Sequence, residues 1–225
     1  MTSDIRKTLA DFRQDGVAAL EYVVNHSPYG SVAQAVASLT LFSHPDTVRQ
    51  TGGRAHFPMV RDNTRRGVEG EIDGRRVHFD DNTCAQDAFL WSNRLPTRNT
   101  FGRNVQFNHV YRASLDPDAY TNLANICLTP AFLAKLTDVH LEVRSLLQYR
   151  VHDLYDWRPL SSPKPIKPSV YDQLDWAPPL EAVEDLPAVL RAAMATKPNN
   201  RASKAAAKLG WLYGEAVLDA SAPST

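Results

Sequence analysis

Apolar side chains recur at helical spacing near both ends of the chain, and the middle breaks into short alternating runs. Ile5, Leu9, Phe12, Val17, Leu20 and Val24 fall close to a 3.6-residue period, which predicts a helix over residues 4–25 with Ser3 or Asp4 as N-cap. Ser27-Pro28-Tyr29-Gly30 ends it, and Val32, Ala35, Val36, Leu39 and Leu41 predict a second helix over residues 31–42. From Gly52 the pattern changes. Gly53, Gly67, Gly70 and Gly74 punctuate β-like runs, and Asp73-Gly74 between Ile72 and Arg75 predicts a hairpin, because Asp-Gly favours the primed turns whose twist matches paired strands. Ala88, Phe89 and Trp91 mark the core face of a helix over residues 85–95, capped by Asn82 or Thr83.

Val105, Phe107 and His109 then alternate as a strand with one apolar face. A turn-rich loop follows at Ser114-Leu115-Asp116-Pro117-Asp118, and Ile126-Cys127-Leu128 is a second short apolar run. Thr129-Pro130 suits the opening of a helix over residues 131–136, and a longer helix is predicted over residues 139–155. Six prolines between positions 158 and 179 exclude regular helix or a central strand there and predict an extended arm. Tyr171, Leu174 and Trp176 within the arm require something to dock on, either the chain's own core or a second subunit. Two tail helices are predicted over residues 180–196 and 200–220. The organisation is therefore a helical segment at 1–51, a central α+β domain at 52–157, the arm at 158–179 and a helical segment at 180–225. The fold class is α+β, with a small antiparallel unit at its centre.

Composition bounds the function classes. Apolar residues make up 43% of the chain, enough for a packed globule. Lys plus Arg and Asp plus Glu number 25 each, so the net charge is zero and nucleic-acid binding would need its charge polarised in space. Two cysteines cannot build a disulfide framework, which suits a reducing cytoplasm. No apolar run approaches membrane-spanning length, so no membrane partner is expected.

Local charge clusters carry two readings each. Arg61, Arg65, Arg66, Arg75 and Arg76 could hold phosphates or pair with Asp62, Glu69, Glu71 and Asp73 across the hairpin, and the second is preferred. Asp80-Asp81 could bind a cation or mark the start of a helix, and again the second is preferred. Lys197, Arg201, Lys204 and Lys208 form a basic group on the tail that could face DNA or solvent. No G-x-S-x-G nucleophile elbow occurs, so a Ser/His/Asp triad is unsupported.

The order strand, loop, strand, short helix over residues 104–138, with Asn108-His109-Val110-Tyr111 and Asn122-Leu123-Ala124-Asn125-Ile126-Cys127-Leu128, resembles the HNH nuclease family. The resemblance implies a ββα-metal-like core flanked by N-terminal and C-terminal helices. It implies a metal-dependent endonuclease that hydrolyses phosphodiester bonds in DNA, with His109 as general base and with Asn125 and Asn122 holding the loop and the ring. It also implies one divalent ion, Mg²⁺ or Mn²⁺, for which Asn108, Asp138 and His140 are the candidate ligands. Arg94, Arg98, Arg103, Arg112 and Lys135 are the expected nucleic-acid contacts, since guanidinium and ammonium groups around such a site would hold the backbone. A homodimer or a larger complex is left open.

The chain departs from the family pattern in two places. Asn108 stands where the family has an acid, a poorer ligand for a hard cation. Counted from Asn125, the helix ligand falls near Ala134 or Lys135, neither of which binds metal. The alternative reading is a catalytically inactive HNH-like subunit for nucleic-acid binding or assembly.

Overall fold

A computed structural model describes residues 7–96 and 104–213. The N-terminal prediction is corrected within them. Residues Leu9–Phe12 form one 3-10 turn, Arg13 and Gln14 take positive φ, and α1 begins only at Gly16 (Gly16–Asn25). Asp15 supplies the N-cap, its carboxylate accepting the amides of Val17 and Ala18 at 2.9 and 3.1 Å. The proposed caps Ser3 and Asp4 lie outside the described residues. Ser31 caps α2 (Val32–Leu39), and α3 (Pro45–Arg49) is a short helix that the pattern did not reveal.

The central strands form two sheets, not one antiparallel unit. In the first, β3 (Arg75–Asp80) lies between β1 (Met59–Arg61), which runs parallel to it, and β2 (Val68–Ile72), which runs antiparallel. The parallel pair arises because residues 62–67 cross the end of β3. There the Asp62 amide donates to the Asp80 carbonyl and the Gly67 amide to the Phe79 carbonyl, both at 2.9 Å. The Asp73-Gly74 turn is as expected, with both residues at positive φ and Ile72 paired with Arg75. Gly70 has a packing role: a Cβ there would stand 2.4 Å from Phe79 Cε2. Phe79 is buried under the Arg65 guanidinium, 3.6 Å from its ring centre.

The second sheet is the hairpin of β4 (Val105–His109) and β5 (Ile126–Pro130), antiparallel with His109 opposite Ile126. Leu41 adds a two-bond bridge to Leu128, tying the hairpin to the N-terminal helices. α4 (Thr83–Ser92) precedes the hairpin, and α5 (Ala131–Val139) follows it directly. At His140 the backbone is extended, so the helix predicted over residues 139–155 starts afresh as α6 (Leu141–Tyr155).

The proline-rich arm docks on its own core. Tyr171 is buried, its hydroxyl donates to Asp153 at 2.7 Å, and Trp176 lies under the Arg150 guanidinium at 4.6 Å. Backbone bonds from Ala177 to Ala37 and from Leu180 to Phe42 hold its end. Then come α7 (Leu186–Thr196), capped by Asp185, and α8 (Arg201–Leu209), capped by Asn200. All four segments contribute buried apolar residues to one main cluster that includes Val24, Tyr171 and Trp211, and Val60, Val77 and Phe79 form a second, small cluster in the first sheet.

Two of the tail's four basic residues are committed to the fold. Arg201 lies 3.1 Å from both Asp80 and Asp81, and Lys208 pairs with Glu69 at 3.0 Å. Asp81 also accepts the Thr83 amide at the start of α4, which is the helix-start reading of the two carboxylates.

Candidate functional site

The hairpin, the loop of residues 110–125 and α5 bring together part of the predicted site. His109 ends β4 and is partly exposed. Its ring stacks on Tyr120 with centres 5.2 Å apart and planes 18° from parallel, and Nε2 lies 2.8 Å from the Tyr120 carbonyl oxygen. A carbonyl only accepts, so the ring proton of neutral His109 sits on Nε2 and the lone pair on Nδ1. Burial lowers the His109 pKa, with the Arg61 charge adding to it and the Tyr120 carbonyl opposing it. The shift favours the neutral ring, the form that can accept a proton.

The loop behind the ring is pinned by two buried asparagines. Asn125 accepts the Tyr111 amide at 2.7 Å and donates to the Tyr111 and Ala119 carbonyls at 3.3 and 3.1 Å, closing the loop across its mouth. Asn122 accepts the Ala124 amide at 3.0 Å and donates to the Gly53 and Asp118 carbonyls at 2.7 and 3.1 Å. Every polar atom of Asn122 is spent on backbone and the residue is fully buried. Its role is thus to hold the loop, and it does not reach a reacting atom.

Two residues of the site were not singled out from the sequence. Tyr120 supplies both the stacking face and the carbonyl, and its hydroxyl reaches back to the Asp81 carbonyl. Arg61 comes from β1, whose end is fixed to the loop by the bond from its amide to the Ser114 carbonyl at 2.8 Å. Arg61 is exposed and makes no ion pair among the described residues, whereas Arg65, Arg66, Arg75 and Arg76 all do. No local signal distinguishes Arg61 from those neighbours. Only the crossing of β1 against the loop does.

The three metal-ligand candidates do not converge. The Asn108 amide donates to Thr129 Oγ1 at 2.6 Å and to the Gln106 carbonyl at 3.2 Å. His140 accepts the Val143 amide on Nδ1 and pairs through Nε2 with Glu21 at 2.9 Å. It lies beyond the far end of α5, about 13 Å of helix from Thr129. Asp138 is exposed in the last turn of α5. The positions expected to complete the site hold buried Ala134 and exposed Lys135. Among the described residues no group of three or more His, Cys, Asp or Glu side chains is placed to hold an ion. The residues present do not fit the divalent ion that the resemblance implies.

The predicted nucleic-acid contacts are scattered. Arg112 is exposed on the loop three residues after His109, Lys135 on the outer face of α5, and Arg94 just past α4 with positive φ. Arg98 and Arg103 lie outside the described residues. No helix among the described residues is long and apolar enough to cross a membrane. No family model, curated protein or solved structure matches the chain.

Proposed function

We propose that the chain acts on nucleic acid as a phosphodiester hydrolase of HNH-like type, with His109 as general base. The observation that supports this best is the orientation of the His109 ring: Nε2 is committed to the Tyr120 carbonyl, and Nδ1 is left with the lone pair. In the proposed step a water gives its proton to Nδ1 while its oxygen bonds to phosphorus. The bond from phosphorus to the departing sugar oxygen breaks, and that oxygen takes a proton from solvent. Arg61, whose charge acts on the His109 ring, would offset charge on the phosphate, and Arg112 would extend the basic rim. DNA is the proposed substrate.

The test is cleavage of plasmid DNA, single-stranded DNA and RNA, each with Mg²⁺, Mn²⁺ or chelator, with wild type beside His109→Ala. Loss of the base should lower the rate by about 10²- to 10⁴-fold while the circular dichroism spectrum stays unchanged. Equal product from the two proteins would overturn the catalytic reading.

A second reading, a catalytically inactive binding or assembly subunit, is favoured by the failure of Asn108, Asp138 and His140 to converge. It predicts no cleavage by either protein but retention of labelled DNA by both at low salt.

A further inference from the structure

Charge that cancels over the whole chain does not cancel around Tyr111. α6 ends at Asp156, which takes positive φ, and Trp157 then lies against the loop that follows β4. The Trp157 ring meets Tyr111 edge to face with centres 5.8 Å apart, and its Nε1 donates to the Gly53 carbonyl at 3.1 Å. The same carbonyl accepts the Asn122 side-chain amide at 2.7 Å. Three stretches far apart in the chain, at residues 52–54, 110–112 and 157–158, are thus held in one patch.

Each stretch brings an arginine. Arg54 follows Gly53, Arg112 follows Tyr111 and Arg158 follows Trp157. All three are exposed, and none makes an ion pair among the described residues. Arg158 donates through Nη1 to the carbonyls of Pro159 and Ser162, which fixes the side chain and leaves its charge without a carboxylate partner. That charge acts on Tyr111. The acid next to Trp157 in the chain, Asp156, lies 3.2 Å from His152 Nδ1. On the first sheet, by contrast, Arg65, Arg66, Arg75 and Arg76 are each matched by an acid. A chain of zero net charge therefore carries its unmatched guanidinium groups together, on the side of the loop that follows His109.

The patch also holds an aromatic ring. Trp157 is partly exposed, and Gly52 and Gly53 beside it are exposed with positive φ. A Cβ at Gly53 would stand 3.5 Å from Trp157 Cδ1, so glycine there leaves that side of the ring without a covering side chain. A fixed, partly open indole among guanidinium groups suits a strand whose bases are free to stack. A duplex offers its phosphates but keeps its bases in the helix. We propose that this patch binds single-stranded DNA, with Arg54, Arg112 and Arg158 on its phosphates and a base stacked on Trp157. The proposal rests on the nucleic-acid reading of the chain, in either its catalytic or its binding form, and names the strand as single.

The experiment is fluorescence anisotropy with a labelled oligothymidylate and a labelled duplex of equal length, at low salt and in chelator, with each probe run on a gel to show it intact. The single strand should bind about tenfold or more tighter than the duplex. Trp157→Ala should weaken its binding by about 5- to 150-fold, the loss of one stacked base. Trp157 also packs on the core, so Arg54→Gln, Arg112→Gln and Arg158→Gln, at exposed positions, test the patch without disturbing it. Each should lower the slope of log affinity against log salt by roughly 0.7. Equal or tighter binding of the duplex, or wild-type affinity and slope in all three arginine variants, would overturn the proposal. Absence of binding to either probe would overturn it too, and cleavage by the same protein would then leave the His109 reading standing. Single-strand binding with these losses, by a protein that cuts nothing, would end the catalytic reading and keep the patch.

Discussion

Asn125 clasps the Tyr111 peptide from both sides, its Oδ1 accepting the amide at 2.7 Å and its Nδ2 donating to the carbonyl at 3.3 Å. The same Nδ2 donates to the Ala119 carbonyl, so one side chain ties the start of the loop to the residue just before Tyr120. Asn125→Ala would strand the buried Tyr111 amide. The expected loss is about 2–4 kcal/mol of unfolding free energy, measured by urea denaturation. Because the loop orients the His109 ring, any activity should fall with stability in this variant. A variant that unfolds with the wild-type midpoint would show that the clasp does not hold the loop.

The His109 ring itself has a titration signature. Burial, helped by the Arg61 charge, lowers its pKa below the ordinary 6.5. Proton NMR of the ring should show its midpoint below that value, and Arg61→Gln should move the midpoint upward by removing a nearby positive charge. In the catalytic reading the acid limb of the rate profile should move with it.

His56 makes a larger prediction about stability. Burial lowers its pKa from 6.5 to about 4 in the folded chain. Between these values the unfolded chain binds a proton that the folded chain does not. Stability should therefore be full above pH 6.5 and fall as the pH drops toward 4, by roughly 3 kcal/mol in all. Denaturant midpoints across that window measure it. His56→Gln should flatten this slope even if it lowers the plateau.

Gly70→Ala tests the tight approach of β2 to Phe79. The added Cβ would meet Phe79 Cε2 at 2.4 Å, and the ring cannot swing freely because Arg65 covers it. A loss of about 1–3 kcal/mol is expected, read as a lower melting temperature. Pairing the change with Phe79→Leu should recover part of the loss.

Arg201 tests how the tail is fastened. Asp80 is fully buried, and Arg201 is its nearest basic partner at 3.1 Å, with Arg66 farther off at 3.7 Å. Arg201→Met should leave a buried carboxylate short of charge and cost about 3 kcal/mol, while Asp80→Asn with Arg201→Met should cost less than the single change. With Asp80→Asn measured alone as well, a double change that costs the sum of the two single changes would mean that the pair is not coupled.

Local chemistry determined much of what the sequence by itself settled. The Asp73-Gly74 turn depends on two adjacent residues that tolerate positive φ, and the helix start at Asn82 is set within a few residues of itself. The strand, loop, strand, helix order around His109 and Asn125 was legible for the same reason. So was the apolar content of the arm, which had to be covered. Tertiary structure decided the rest, because the deciding contacts join positions far apart in the chain. The parallel pairing of β1 with β3 depends on a crossing over the end of β3, and periodicity carries no strand order. Arg61 looks like its neighbours in sequence and differs only because Glu69, Asp81 and Asp118 take the charges of Arg76, Arg66 and Arg75. The expected metal ligands were chosen by spacing along one segment. Thr129 took Asn108 and Glu21 took His140, and neither competition is visible until the chain is folded.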